Sequence, residues 1–173
     1  AEDMAERLGG KGRVAMIQGT LGATDTTDRA TGFMETIANY PDIEVVADVS
    51  GDYVKDKGMA AMEDILVNYP DLDAVFCQND DMAQGAYLAC EAAGNKDCLI
   101  YGNDCYSSTL DMIGEGKITG TTAYPTSVHK AVDVLIEIFQ NGGVYDGPKE
   151  IVEDVPIALP ENYKDFYARA LPA

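Results

Sequence analysis

At five places along this sequence, amides, carboxylates, hydroxyls and aromatic rings stand directly after short apolar runs. They are Gln18-Gly19-Thr20, Asp52-Tyr53, Gln78-Asn79-Asp80-Asp81, Asn103-Asp104 and Tyr124. Side chains of these kinds are what recognition of a neutral polyhydroxylated molecule requires. Each ligand hydroxyl both donates and accepts, and the C–H face of a sugar ring packs on an aromatic face. Covalent chemistry has no matching set. No serine or cysteine nucleophile stands at one of these places with a histidine at another, and the single histidine, His129, falls in a helical stretch. Gly19-Thr20-Leu21-Gly22 lacks the Gly-Lys-Ser/Thr of a phosphate loop, and no G-x-G-x-x-G occurs. The chain therefore reads as a binding module and not an enzyme, with no cofactor expected.

Each candidate also has a plainer reading. Asp80 or Asp81 is expected to cap the helix that begins near Met82. Asn79 suits a turn as well as a ligand, and Tyr53 suits a loop anchor as well as a stacking platform. Asp104 follows an apolar strand closely enough to be partly buried, which calls for a partner or a ligand; a ligand is the reading adopted. His129 is expected on an exposed helix face.

The elements that must position these residues alternate. Val14–Ile17, Val45–Val49, Ala74–Cys77 and Cys98–Tyr101 are short β-rich runs, and 118–123 is a weaker one. Between them, residues 27–39, 56–68, 81–93, 106–114 and 127–140 carry apolar residues at helical spacing. Asn39-Tyr40-Pro41-Asp42 and Asn68-Tyr69-Pro70-Asp71 each stop a helix and send the chain toward a strand. Strands alternating with helices in this way give βαβ units, hence a three-layer α/β/α arrangement with a mainly parallel sheet. In such a sheet ligands sit outside the carboxyl ends of the strands, where the five places fall. Beyond Asn141-Gly142-Gly143, residues 151–159 read as extended and 161–170 as a short helix.

The 173 residues suffice for one domain with a full core. Thirty acidic residues against 12 basic ones give a net charge of −18. Nucleic acid and anionic membrane surfaces both need clustered Lys and Arg, so neither is an expected partner. Cys77, Cys90, Cys98 and Cys105 form no C-x-x-C pair, and with one histidine no metal site is expected. Cys77 with Cys105, or Cys90 with Cys98, lie where the topology would bring them near; free, partly buried thiols are the expectation.

Gln18-Gly19-Thr20-Leu21-Gly22-Ala23-Thr24 with Asp28-Arg29-Ala30-Thr31-Gly32-Phe33 resembles the first strand-to-helix passage in the second lobe of ribose-type periplasmic sugar-binding proteins. Lys57-Gly58-Met59-Ala60-Ala61-Met62-Glu63, the stretch from Tyr69 through Gln78-Asn79-Asp80-Asp81 to Ala86, Gly102-Asn103-Asp104 and Gly114-Glu115-Gly116-Lys117-Ile118 follow in the same order. The likeness runs from about residue 13 to 141. It implies the type 1 periplasmic binding fold, whose lobe is flavodoxin-like, and the role of solute receptor for a bacterial ABC importer. Such receptors have two lobes joined by three crossovers and close on a sugar in the cleft between them. The family's opening strand and the first half of its first lobe have no counterpart here. Residues 1–173 correspond to the second, C-terminal lobe, and residues 126–141 to a helix that packs in the first.

Carried over position by position, the resemblance implies ligand contacts at Thr27, Tyr53, Asn79, Asp104 and Tyr124. Two of these depart from the family, which usually has an arginine where Thr27 stands and an amide where Tyr124 stands. Arg29 is expected on a different helix face from Thr27 and not to substitute for it. The ligand is expected to be a sugar, a polyol or another small polar metabolite. The further implications are an ABC permease as partner, a periplasmic or extracellular location and a membrane-anchored precursor. A homodimer through the helix at 127–140 is a further expectation, because Val128, Val132, Leu135, Ile136 and Phe139 would otherwise be exposed. The alternative is the effector-binding core of a LacI-type transcription regulator. Those proteins tend to have a Pro-Glu-Asp turn where this chain has Asn95-Lys96-Asp97-Cys98.

Overall fold

Successive residues of a strand face opposite sides of its sheet, and the first strand, β1 (Lys11–Gln18), is apolar on both. Ala15 and Ile17 enter one core, Val14 and Met16 the other. A computed structural model describes residues 1–125 and 127–171 of the chain. Around β1 it arranges α1 (Glu2–Arg7), α2 (Thr24–Ile37), β2 (Asp42–Ser50), α3 (Lys55–Asn68), β3 (Ala74–Cys77), α4 (Asp80–Ala93) and β4 (Leu99–Asn103). Then come α5 (Ser107–Gly114), β5 (Gly120–Thr122), α6 (Val128–Gln140), β6 (Ile157–Ala158) and a 3₁₀ turn at Tyr163–Phe166.

The sheet has six strands in the order β2-β1-β3-β4-β5-β6. The first five are parallel and β6 runs antiparallel to β5. Helices α1 and α2 cover one face, where Phe33 stacks on Phe76 at 5.1 Å between ring centroids. Helices α3, α4 and α5 cover the other. This is the three-layer α/β/α arrangement with a mainly parallel sheet read from the sequence. From β1 the chain goes first to β2 on one side and then to β3 on the other. The crevice between the carboxyl ends of β1 and β3 is therefore the topological switch point.

Helices α3 and α4 meet backbone to backbone. A Cβ on Gly85 would lie 2.2 Å from the carbonyl oxygen of Lys55, and one on Gly58 would lie 2.7 Å from Cα of Met82. No side chain larger than glycine fits at this crossing, and the close approach fixes where α4 begins.

The strands and helices fall where the hydrophobic pattern puts them, with differences at the ends. Helix α2 starts at Thr24 and not at 27. Only Ile157–Ala158 of the expected extended stretch 151–159 enters the sheet. Pro156 and Pro160 bracket those residues and offer no N–H to a ladder. The short helix expected at 161–170 contracts to the 3₁₀ turn, because the Asn162 side chain accepts the Leu159 N–H at 2.7 Å and donates to the Ile157 carbonyl at 3.2 Å. Helix α6 has no buried residue, and the stripe Val128, Val132, Leu135, Ile136 and Phe139 is exposed as expected. Thr126, at the start of the 126–141 segment, lies outside the described residues. Among the described residues no helix is long and apolar enough to cross a membrane.

The expected cap of α4 is corrected. Neither Asp80 nor Asp81 caps it; Asn79 does, its Oδ1 accepting the Met82 N–H at 3.0 Å. Asp80 is wholly buried instead and straps three strand ends together. It lies against Gly102 of β4, where a Cβ would be 2.2 Å from Asp80 Oδ1. It accepts from the Thr121 hydroxyl of β5 at 2.6 Å and from the Tyr106 N–H at 2.8 Å. Burial outweighs these bonds and raises its pKa to about 6.

A carboxyl whose pKa is higher in the folded chain than in the unfolded one contributes stability that is complete below the unfolded value. For Asp80 that contribution is lost as pH rises from about 4 through about 6. Asp80→Asn keeps the bond to the Tyr106 N–H and cannot ionise. Its urea midpoint is expected to fall less than that of the parent chain between pH 4 and pH 7, by the equivalent of roughly 2–3 kcal/mol. Parallel pH profiles for the two proteins would show that Asp80 does not titrate in this range.

Candidate ligand-binding site

The floor of the switch-point crevice is one buried amide. Gln78 directly follows β3, and its Oε1 accepts the Gly19 N–H at 3.0 Å while its Nε2 donates to the Thr26 carbonyl at 3.0 Å. This ties the loop after β1 and the first turn of α2 to the end of β3. On the loop after β2 sits Tyr53, held with Asp52 in the left-handed region at φ of 60° and 54°. Its ring lies flat on Gly19, so close that a Cβ there would be 1.9 Å from Tyr53 Cζ. Gly19 is what allows the aromatic ring into the crevice.

The Tyr53 hydroxyl is a junction. It donates to Asp25 Oδ2 at 2.6 Å and accepts from Thr26 Oγ1 at 2.8 Å and from Arg29 Nη1 at 3.3 Å. The Tyr53 hydroxyl bond, helped by the charge of Arg29, holds Asp25 below the ordinary carboxylate range. Burial, followed by the Asp25 bond, pushes Tyr53 above the ordinary phenol range.

Arg29 extends from α2 over this junction. Nη1 donates to the Gln78 carbonyl at 2.9 Å, and the guanidinium carbon lies 5.3 Å from the ring centroid of Tyr124 and 5.8 Å from that of Tyr53. These are cation–π distances. Among the described residues only Nη1 of this guanidinium has hydrogen-bond acceptors, which leaves the N–H groups of Nε and Nη2 for a ligand. The chain thus has an arginine in the crevice, one that the spacing argument set aside. Thr27 and Arg29 do point to different sides of α2, and the Arg29 side shares the inward stripe of Thr26, Ala30 and Phe33. Thr27 is exposed, and its hydroxyl donates back to the Ala23 carbonyl at 3.0 Å. The signal that could have found it is the i,i+4 spacing of Arg29 and Phe33, which sets the arginine on the edge of the buried stripe.

Across the crevice Asp104 follows β4 with φ of 133°, a conformation a non-glycine residue rarely adopts. Its N–H donates to the Thr122 carbonyl at 3.0 Å, and its Oδ1 accepts from Asn103 Nδ2 at 3.1 Å. Burial, then the nearby charge of Asp80, raises its pKa to about 7, against the pull of Arg29. Asn79, nearly buried, donates its Nδ2 to the Tyr53 carbonyl at 3.2 Å in addition to capping α4. Of the residues singled out in the sequence, Tyr53, Asn79, Asp104 and Tyr124 gather at the carboxyl ends of the strands with Arg29. Gln18 is drawn aside to Asp48 on β2, and Asp52 is occupied by Thr20 and Lys57. The arrangement offers a guanidinium, a carboxyl, an amide edge and two aromatic faces, with no nucleophile–histidine pair among the described residues. It suits hydroxyl recognition.

Residues 1–142 match the model of the periplasmic binding protein domain. The xylitol-binding protein of Mycolicibacterium smegmatis is 32% identical over 164 residues, 90% of this chain and 47% of its own length. The ribose import binding protein of Bacillus subtilis is 38% identical over 120 residues, 69% of this chain and 38% of its own. An ABC transporter periplasmic solute binding protein from Actinobacillus succinogenes, solved with bound D-allose, superposes with a TM-score of 0.88 at 27% identity over 95% of this chain and 57% of that one. The chain thus spans about half the length of the proteins it matches. With the fold, the switch-point crevice and this match in agreement, the chain belongs to the periplasmic binding protein family.

Proposed function

We propose that this chain is the C-terminal lobe of a solute receptor for an ABC importer, and that it binds a neutral sugar or polyol at the carboxyl ends of β1, β3, β4 and β5. The observation that carries the reading is Arg29, anchored by one nitrogen between two tyrosine rings and opposite Asp104. A guanidinium with free N–H groups and a carboxylate form the charge-assisted hydrogen bonds that hold ring hydroxyls. The rings of Tyr53 and Tyr124 supply the apolar walls. Names of the relatives point the same way, since xylitol, ribose and allose are polyhydroxylated and uncharged. The ribose import and ABC transporter relatives serve uptake, which supports import over the gene-regulator alternative, and all three are binding proteins, which supports a role without catalysis. The receptor would work in the periplasm or outside the cell from a membrane-anchored precursor and deliver its ligand to a permease.

In this reading the lobe is one wall of the cleft, and α6 belongs to the packing of the opposite lobe. When the chain is prepared alone, the stripe of α6 is expected to pair with that of a second copy.

Titration calorimetry of the chain against pentoses, hexoses and polyols tests the assignment. A saturable sugar or polyol signal is expected. Arg29→Ala should weaken it about 10- to 100-fold, the cost of hydrogen bonds to a charged group, with Arg29→Lys intermediate. Binding unaffected by Arg29→Ala would remove this residue from the site, and binding restricted to charged ligands would end the sugar reading. Because the ionised form of Asp104 is the acceptor, affinity is expected to be full above about pH 7 and to fall as pH drops through it. The loss is about tenfold one pH unit lower, and constant affinity from pH 8 to pH 5.5 would contradict this role. Sedimentation of the chain alone should show concentration-dependent association that Phe139→Asp abolishes; monomer at every concentration would show that α6 needs no partner.

A further inference from the structure

At the opposite, amino-terminal ends of the strands, two cysteines face each other. Helix α4 ends at Gly94 in the left-handed conformation, and the turn that follows is tied twice. The Asn95 N–H donates to the Cys90 carbonyl at 3.0 Å, and the Asn95 side chain donates to the Leu72 carbonyl at 3.1 Å. The tied turn brings Cys98, the residue before β4, back beside Cys90 in the last turn of α4. Both line a surface cavity of about 420 Å³ with Tyr87, Glu91, Lys96 and Lys117. The Cys98 thiol hydrogen-bonds the Cys90 sulfur, which holds Cys90 below the usual thiol range and pushes Cys98 above it. Cys77 is fully buried, with burial raising its thiol, and burial raises Cys105 to about 11; neither opens onto this cavity.

We propose that Cys90 and Cys98 are a disulfide-forming pair that, once oxidised, staples the end of α4 to the start of β4. The oxidant is a small-molecule or protein disulfide of the kind found in oxidising compartments. With oxidised glutathione, the Cys90 thiolate attacks one glutathione sulfur from the shared cavity; the departing glutathione thiolate takes up the proton Cys90 had released, and a mixed disulfide remains on Cys90. Cys98 then gives up its proton to solvent, and its sulfur attacks Cys90 Sγ and expels the second glutathione. Two thiols are oxidised and one disulfide is reduced to two thiols. The staple closes a short loop remote from the ligand crevice, so it adds stability without touching the Arg29 and Asp104 cluster.

Oxidised glutathione, followed by alkylation under denaturing conditions and mass analysis, tests the pair. Two of the four cysteines should resist alkylation. Cleavage with trypsin and chymotrypsin separates Cys90 from Cys77 at Tyr87, Cys98 from Cys105 at Tyr101 and the pair from each other at Lys96. The linked fragment should contain Cys90 and Cys98 and disappear on reduction. Tm should rise by roughly 5–10 °C on oxidation, and the rise should be absent in Cys98→Ser. Four alkylated cysteines after full oxidation would overturn the proposal, as would glutathione retained on Cys90 or Cys98 without closure or a fragment linking Cys77 to Cys105. The mapping uses the unaltered chain, so it decides the matter even if Cys98→Ser does not fold.

Discussion

A carboxyl group taken out of water must be given donors by the protein, and the carboxyl end of this sheet is organised around one such group. Asp80 begins α4, lies on the bare backbone of Gly102 in β4 and is bonded to Thr121 of β5 and to the chain entering α5. A residue that opens α4 therefore ties β4 to β5 and fixes where the chain beyond β4 must turn. The left-handed residues Asp104 and Cys105 follow from that turn. On the other side of β3, Gln78 does the same for β1 and α2 with a neutral amide. The two buried polar groups flank Asn79 in sequence, so one three-residue segment fixes both halves of the crevice.

Most of the fold was legible because it depends on pattern. Apolar runs of four to eight residues mark buried parallel strands, helical stripes mark covering layers, and the Tyr-Pro-Asp turns mark the return to the sheet. The tail was less legible. Whether residues 151–159 pair depends on two prolines and on one side chain, Asn162, that competes for the same backbone groups. Such local competition leaves no periodic signal.

The site was legible by residue type and only partly by role. Tyr53, Asn79, Asp104 and Tyr124 could be placed because they follow strands, and strand ends converge. Arg29 was set aside because it was compared with Thr27, the position at which the family carries its arginine, and not with the buried stripe. Phe33, four residues on, already places Arg29 beside the inward face of α2. Asp80 was misread for a related reason. Helix-capping statistics favour aspartate at such a position, but the adjacent Asn79 already satisfies the free N–H, and Gly102 leaves a hollow that only a neighbouring side chain fills.

The sheet has two free edges, and neither invites another sheet. On one side β6 is only two residues long. On the other, β2 spans nine residues from Asp42 to Ser50 and carries Asp42, Glu44 and Asp48 along its length. A second copy approaching this edge would bring like charges together across a strand spacing of about 4.8 Å. Strand-by-strand growth is thereby discouraged, although a nine-residue edge would otherwise be a template for it. The acidity of the chain thus acts as a gatekeeper that closes the edge of the sheet to copies of itself.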